Sequence, residues 1–202
     1  MREPKIIKIV AKLIQDGKVI VCPTDTVYGL ICDATNEKTI KRLFRIKKRS
    51  IKKPIPVFVK DIKMTKKFVY IDKKQEDFLK KVWPGKVTVT LKAKKKLPKG
   101  VVSSENKIGL RIPKYKLINQ LFSTISRPLS ATSANISGKP ASTEIKDVIN
   151  QFNKRKLQPD LIINAGNLKP SKPSTVVDLT EKKLKVLRAG AVSKEGLIKI
   201  FQ

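Results

Sequence analysis

Short apolar runs that stop abruptly at proline, glycine or hydroxyl residues, separated by amphipathic repeats of helical period, constrain this chain more than any other feature. Lys18-Val-Ile-Val-Cys22 ends at Pro23, Ile108-Gly-Leu-Arg-Ile112 ends at Pro113, and Val87-Thr-Val-Thr-Leu91 alternates with the period of a strand. Residues 54–59, 128–131, 161–163, 175–179 and 184–187 have the same character. Between them, Ile6, Ile7, Val10, Leu13 and Ile14 repeat at helical spacing up to a stop at Asp16-Gly17. Asn36 stands as the N-cap of a helix carrying Ile40, Leu43, Phe44 and Lys47, with Glu37 in its first turn. Further helices are predicted over 75–82 (broken by Trp83-Pro-Gly85), over 117–125, through Val148 and Ile149 with Ser142 or Thr143 as cap, and over 195–201; residues 94–100 read as a solvated basic turn. Strands interleaved with helices specify an α/β protein. Because several strands follow one another with only a turn between, a mixed, twisted sheet is expected rather than a purely parallel one.

At 202 residues, 40% of them apolar, the chain is long enough for one core and is read as a single domain, 1–202. No apolar run approaches the ~20 residues of a membrane span, and the amphipathic start lacks the apolar heart of a signal peptide, so a soluble cytoplasmic protein without membrane partners is expected. Cys22 and Cys32 form neither a disulfide framework nor a CxxC site and are read as buried or half-buried thiols.

The chain has no histidine. That removes Ser-His-Asp and Cys-His nucleophile schemes, the commonest general base and most catalytic zinc sites, so any chemistry must run on positioning and charge. Charge is abundant: 46 basic against 16 acidic residues give a net +30, which attracts polyanions, nucleoside triphosphates and RNA first among them. A lysine-rich composition spread along the chain accounts for the excess equally well. The eight arginines are therefore more diagnostic than the lysines, because a planar guanidinium fork fits carboxylate and phosphate.

Four segments concentrate polar chemistry at strand ends. Arg127-Pro-Leu-Ser-Ala-Thr-Ser-Ala-Asn-Ile-Ser-Gly138 packs hydroxyls, an amide and a glycine directly after a strand, as either an ordinary Ser/Asn loop or a ligand-holding one. Pro23-Thr-Asp-Thr-Val-Tyr-Gly-Leu30 follows a buried strand, where ligands of α/β sheets commonly bind, though Asp25 also reads as a local cap. Lys47-Lys-Arg-Ser-Ile-Lys-Lys-Pro-Ile-Pro56 is a solvated face or, because of its proline-bracketed return into apolar sequence, a basic cluster pinned beside the sheet. Arg111, alone in an apolar strand, must be paired; a bound carboxylate or phosphate is the first candidate in a chain so short of acids, an Asp or Glu elsewhere the second. Pro173-Ser-Thr-Val-Val-Asp178 and Val186-Leu-Arg-Ala-Gly190 add hydroxyls and a further arginine.

Taken in order, PTDTVYGL, KKRSIKKP, WPGKVTVTL, GLRIP, SATSANISG, STVVDL and LRAG resemble the YrdC/TsaC family of threonylcarbamoyl-adenylate synthases over nearly the whole chain. The resemblance implies a twisted α/β open barrel with a mixed sheet and a large basic cavity. It implies condensation of L-threonine, bicarbonate and ATP into L-threonylcarbamoyl-AMP with release of pyrophosphate, for N6-threonylcarbamoyladenosine in tRNA. Carried over by motif, Thr26, Arg111, Ala131 through its backbone and Ser174 would bind threonine. Lys47, Arg49, Lys53, Ser133, Asn135 and Arg188 would hold ATP, with Lys47, Arg49 and Arg111 closest to the chemistry. Mg²⁺ is expected to arrive with ATP, no protein cage being evident, and Asp25, or Asp178, is placed to assist through water. tRNA or a downstream threonylcarbamoyl-transferase complex is the implied onward partner. Lys53, Phe58 and Ala141 stand where some relatives carry Asn, His and Ser, and the chain resembles the form without a C-terminal domain. The rival readings are a non-catalytic double-stranded RNA or tRNA-binding module using the basic concave face, and a related carbamoyl-transfer module.

Overall fold

The structure, a computed structural model, describes residues 3–94 and 97–202. Met1, Arg2 and part of the expected basic turn, Lys95 and Lys96, lie outside that range. The elements run α1 (Glu3–Gln15), β1 (Ile20–Cys22), β2 (Gly29–Ile31), α2 (Glu37–Lys47), β3 (Val57–Phe58), α3 (Ile62–Thr65), α4 (Lys73–Val82), β4 (Val87–Lys92) and β5 (Lys107–Arg111). They continue with α5 (Lys116–Thr124), β6 (Leu129–Ser130), β7 (Thr132–Ser133), α6 (Ile145–Phe152), β8 (Leu161–Ile162), β9 (Thr175–Asp178), β10 (Lys185–Arg188) and α7 (Lys194–Phe201).

The helices begin and end where their local chemistry dictates. α1 buries Ile7, Val10, Ala11 and Ile14 and terminates at Gly17, whose φ of 73° only glycine adopts freely; Lys18 N–H then donates back to Leu13 O at 2.9 Å. Asn36 caps α2 as expected, its side chain accepting from Thr39 N. α4 starts two residues before the predicted 75–82 because Asp72 and Gln75 form a reciprocal capping box. Neither Ser142 nor Thr143 caps α6, contrary to expectation: Glu144 occupies that position, and Ser142 Oγ instead accepts from Glu144 N at 2.9 Å, closing a turn one step earlier.

The strands form two mixed sheets rather than the one expected, and the sheets do not close into a barrel. The smaller has order β7-β2-β1-β8, the larger β10-β9-β4-β5-β3-β6. β2 and β7 were not legible as strands, and they are what creates the second sheet. In the larger sheet β3 lies parallel to β5 with Phe58 opposite Arg111, and β9 lies parallel to β4. The chain leaves the larger sheet at Ser130 and enters the smaller at Thr132, so Ala131 alone spans the junction. Ser130 stitches the two together: its N–H donates to Cys32 O, its hydroxyl donates to Leu30 O, and it accepts from Cys32 N, each at 2.9 Å. Leu30, Ile31, Val57, Leu110 and Leu129 are fully buried around this junction, each contributing about 1.5–3 kcal/mol by leaving water. Cys22 and Cys32 are free buried thiols, as the sequence indicated.

Candidate active site: a cationic cleft where the sheets meet

Two cavities share a wall, one at the junction of the sheets and one over the larger sheet. A smaller one, about 140 Å³, lies among Thr24, Thr26, Phe58, Arg111, Ala131 and Ser174, and a larger one, about 510 Å³, lies over the face of β4, β5, β9 and β10. Arg49, Pro56 and Arg188 belong to the walls of both. Of the site residues expected from the sequence, Thr26, Arg49, Arg111, Ala131, Ser133, Ser174 and Arg188 all line the smaller cavity.

Arg111 is almost completely buried, its side chain 4% exposed, at the end of β5. Its Nε donates to Gly85 O at 2.7 Å, Nη1 reaches Thr26 Oγ1 at 3.4 Å, and the guanidinium sits 5.7 Å from the centre of the Phe58 ring. Its charge is balanced by Asp25, whose Oδ2 lies 2.6 Å from Nη2. The protein thus supplies the acidic partner that the sequence reading ranked behind a bound anion, because the turn after β1 folds Asp25 against the end of β5. The balance is incomplete in geometry: Asp25 Oδ1 and Arg111 Nη2 are buried without an aligned hydrogen-bond partner. Burial pulls the guanidinium below its ordinary pKa while Asp25 opposes that shift. Thr24 Oγ1 donates to Val27 O at 2.7 Å, so in the 3.1 Å contact between the two hydroxyls Thr26 is the donor, leaving its lone pairs for Arg111.

Lys47 behaves differently from the phosphate ligand expected of it. Its Nζ is directed into the loop after β7, donating to Ser133 O (2.6 Å), Asn135 Oδ1 (2.6 Å) and Asn135 O (3.1 Å). Three oxygens match the three N–H groups of an ammonium. Burial, with Arg49 adding like-charge repulsion, pushes Lys47 down to about 7. Asn135 also accepts from Ser133 Oγ and donates to Lys139 O, so it shapes the loop and does not line either cavity. Lys53 is exposed and lines neither; its carbonyl accepts from Arg49 Nε at 2.8 Å, while Lys52 reaches the larger cavity.

Arg49 and Arg188 have no carboxylate partner among the described residues, and both are lowered in pKa chiefly by burial, Arg49 also by the charge of Arg188. Two unneutralised cations on a shared wall make that wall a seat for negative charge. Arg188 Nη2 donates to Ser174 O at 2.7 Å, and Ser174 Oγ lies 2.8 Å from Thr88 Oγ1. The close approach of this segment depends on Gly190, where a Cβ would stand 2.4 Å from Pro173 O and 2.5 Å from Thr175 N. Asp178 is engaged by Lys107 and Thr180, and Asp25 by Arg111, so both carboxylates considered for water-assisted roles already hold partners.

No cluster of three or more His, Cys, Asp or Glu side chains occurs among the described residues, and in the larger cavity Glu105 and Asp178 both contact Lys107. This donor set does not fit a protein-held Mg²⁺. Sequence reasoning missed Thr24, Tyr28, Pro56 and Pro173 as cavity walls. Tyr28 OH donates to Gly166 O at 2.6 Å and accepts from Ala165 N at 3.1 Å, latching the segment before β9. Thr24 and Tyr28 share a segment with Thr26, Pro173 with Ser174 and Pro56 with Arg49, and that was the available signal.

Fold and cleft together define an α/β protein of two mixed sheets with a cationic hollow in which a small cavity and a larger one share a wall. The family model Sua5_yciO_yrdC, described as telomere recombination, matches residues 12–190. The chain belongs to the Sua5/YciO/YrdC family. It is 33% identical over 193 residues to the putative threonylcarbamoyl-AMP synthase of Methanocaldococcus jannaschii, covering 96% of this chain and 89% of that protein. It is 32% identical to the threonylcarbamoyl-AMP synthase of Pyrococcus abyssi, with 96% of this chain but only 57% of that protein covered. Among solved structures, P. abyssi Sua5 complexed with L-threonine superposes with a TM-score of 0.91 at 32% identity, over 99% of this chain and 58% of that one. Escherichia coli YciO superposes at 0.86 with 26% identity, over 100% and 94%. Among the described residues no helix is long and apolar enough to cross a membrane.

Proposed function

We propose that this protein is an L-threonylcarbamoyladenylate synthase, a nucleotidyltransferase that condenses L-threonine, bicarbonate and ATP. The observation that carries the reading is the pair of cavities sharing Arg49 and Arg188: a small polar pocket that includes buried Arg111 and a larger one on the other side of the same cationic wall. Relatives bearing the synthase name and the threonine complex of P. abyssi Sua5 support it. Family membership alone does not decide the reaction, because the family also holds the "Uncharacterized protein YciO" of E. coli, 28% identical to this chain.

In this reading Arg111 takes the threonine carboxylate, with Thr26, Ser174 and the Ala131 backbone around the rest of the amino acid. The threonine amine and bicarbonate give a carbamate and water. A carbamate oxygen then attacks the α-phosphorus of ATP, a P–O bond forms as the bond to pyrophosphate breaks, and pyrophosphate carries away its negative charge. Arg49 and Arg188 stabilise that developing charge, and alignment supplies the remainder, so no side-chain nucleophile is required. Ser133 contacts the nucleotide, and Lys47 acts through it by fixing the 133–135 loop. Mg²⁺ arrives on the ATP phosphates. The product serves tRNA modification in the cytoplasm through a downstream transferase.

The test is pyrophosphate release with ATP, Mg²⁺ and bicarbonate, with and without L-threonine. Threonine-dependent release that falls at least tenfold in Arg111→Met is expected. Release indifferent to threonine would overturn the assignment.

A further inference from the structure

The hydroxyls around the smaller cavity differ in where each sends its one hydrogen. Thr24 Oγ1 donates to Val27 O at 2.7 Å and Tyr28 OH to Gly166 O at 2.6 Å, and a carbonyl can only accept. Ser133 Oγ donates to Asn135 Oδ1 at 2.6 Å and lies 3.4 Å from the Lys47 ammonium. Three hydroxyls of the cavity wall therefore commit their hydrogens to the protein and keep none for a ligand.

Thr24 is the saturated member of the set. A hydroxyl offers one hydrogen and two lone pairs; here the hydrogen goes to Val27 O, and the lone pairs accept from Thr26 N and Thr26 Oγ1, each at 3.1 Å. The residue is 5% exposed, and its Cγ2 lies 3.4 Å from where a Cβ on Gly29 would stand, so the side chain is fixed from both ends. Although Thr24 lines the cavity, its oxygen has nothing left to offer a ligand. The consequence falls on Thr26, whose hydrogen is held toward Thr24. Of the two lone pairs on Thr26 Oγ1, one faces Arg111 Nη1 at 3.4 Å, and no other described residue engages the second.

We propose that Thr24 is a positioning residue for the amino-acid substrate: by holding the Thr26 hydrogen it makes Thr26 Oγ1 an acceptor toward the cavity, and that acceptor seats the substrate's α-amine. This role rests on the synthase reading, in which Arg111 takes the carboxylate. The amine is borne on the carbon next to the carboxylate, and Thr26 is the hydroxyl in contact with Arg111, whereas the side-chain hydroxyl of threonine stands one atom further out. Asp25 does not compete for the amine, because it is turned onto Arg111 and lines neither cavity. The sense of the bond matters to the chemistry. An acceptor takes an N–H and leaves the nitrogen lone pair free to form the N–C bond of the carbamate, while one amine hydrogen and the bicarbonate hydroxyl leave as water. A donating hydroxyl would occupy that lone pair, and without the Thr24 oxygen the Thr26 hydroxyl is free to turn and donate.

The experiment titrates the full chain, without ATP, with L-threonine, with L-2-aminobutyrate (amine but no hydroxyl) and with (3R)-3-hydroxybutyrate (hydroxyl but no amine), in a calorimeter. Thr24→Val, nearly isosteric, should weaken the two amines by about tenfold or more and leave 3-hydroxybutyrate within about twofold. Thr24→Ser, which keeps the oxygen, should bring the amines back to within about threefold of wild type. Thr26→Val should reproduce the Thr24→Val pattern, and adding Thr24→Val to it should cost no further binding, since one residue acts through the other; these two proteins decide the matter if Thr24→Val alone does not fold. Equal losses for all three ligands, a loss confined to threonine and 3-hydroxybutyrate, additive losses in the double variant, or undiminished amine binding would overturn the inference while leaving threonine-dependent pyrophosphate release in the wild type intact. Wild-type protein that binds threonine but releases pyrophosphate without regard to it would sink the synthase reading alone, and wild-type protein that binds no threonine would overturn both.

Discussion

Removing Asp25 should expose how the cleft keeps a buried cation. In Asp25→Asn, Arg111, with its side chain 4% exposed, keeps only neutral acceptors: Gly85 O, Thr26 Oγ1 and the new amide oxygen. Breaking a buried pair from one side costs about 3–5 kcal/mol; with the 2.7 Å bond to Gly85 O intact, the low end, about 3 kcal/mol, applies. For a chain of this length that is a fall in Tm of about 6–12 °C. Arg111→Met should lose a comparable amount by leaving Asp25 unpaired. The double variant carries no net buried charge, so it should lose no more than either single one, giving a coupling energy of at least about 3 kcal/mol. Urea unfolding followed through the single tryptophan, buried Trp83, measures all four proteins. Losses that simply add, with coupling below about 0.5 kcal/mol, would refute the claim that the pair neutralises itself in the interior. L-Threonine offers a second reading: its carboxylate supplies the missing negative charge, so at saturation it should raise the Tm of Asp25→Asn more than that of the wild type.

Lys47 makes stability and ligand binding depend on pH in opposite senses. Its folded pKa, about 7, lies below its unfolded value, so above pH 7 the unfolded chain binds more protons; this residue then makes stability rise with pH, and Lys47→Met should flatten that slope by up to about 1.4 kcal/mol per pH unit between pH 7 and 10. Over pH 6–8 the wild-type KM for ATP should rise as the ammonium loses one of its three loop hydrogen bonds, and the same substitution should remove the trend in initial-rate assays. Gly190→Ala must force its Cβ away from the 173–175 backbone, costing about 1–3 kcal/mol in stability and, by displacing Ser174, up to about 100-fold in kcat/KM for threonine; wild-type kinetics would refute the close-approach argument. Tyr28→Phe loses two hydrogen bonds to the segment before β9, about 1–2 kcal/mol in all, and hydrogen exchange at Ala165 should quicken.

What the sequence disclosed and what it hid follow different physics. Helices announced themselves through local signals: Gly17 in a left-handed turn and Asn36 as a cap act within a few residues, so pattern alone placed α1 and α2. β2 and β7 were hidden because three-residue and two-residue strands have no room for a period, and both sit in segments whose hydroxyls read as loop. Motifs pointed to seven residues that line the smaller cavity, but also to Lys47, Lys53 and Asn135, which line neither cavity, because the direction of each side chain was not legible. Lys47 and Arg49 are two residues apart at the end of α2, yet one is buried in the 133–135 loop and the other faces the cavities, a consequence of Lys48 taking the left-handed turn between them. Asp25 was hidden for the converse reason: its partner is 86 positions away, and only the packing of the turn after β1 against the end of β5 makes a local cap into a counter-ion. Charge balance in such a hollow is a property of tertiary contact, so the cleft can present Arg49 and Arg188 unneutralised to a ligand only because the deeper Arg111 has been given an acid of its own.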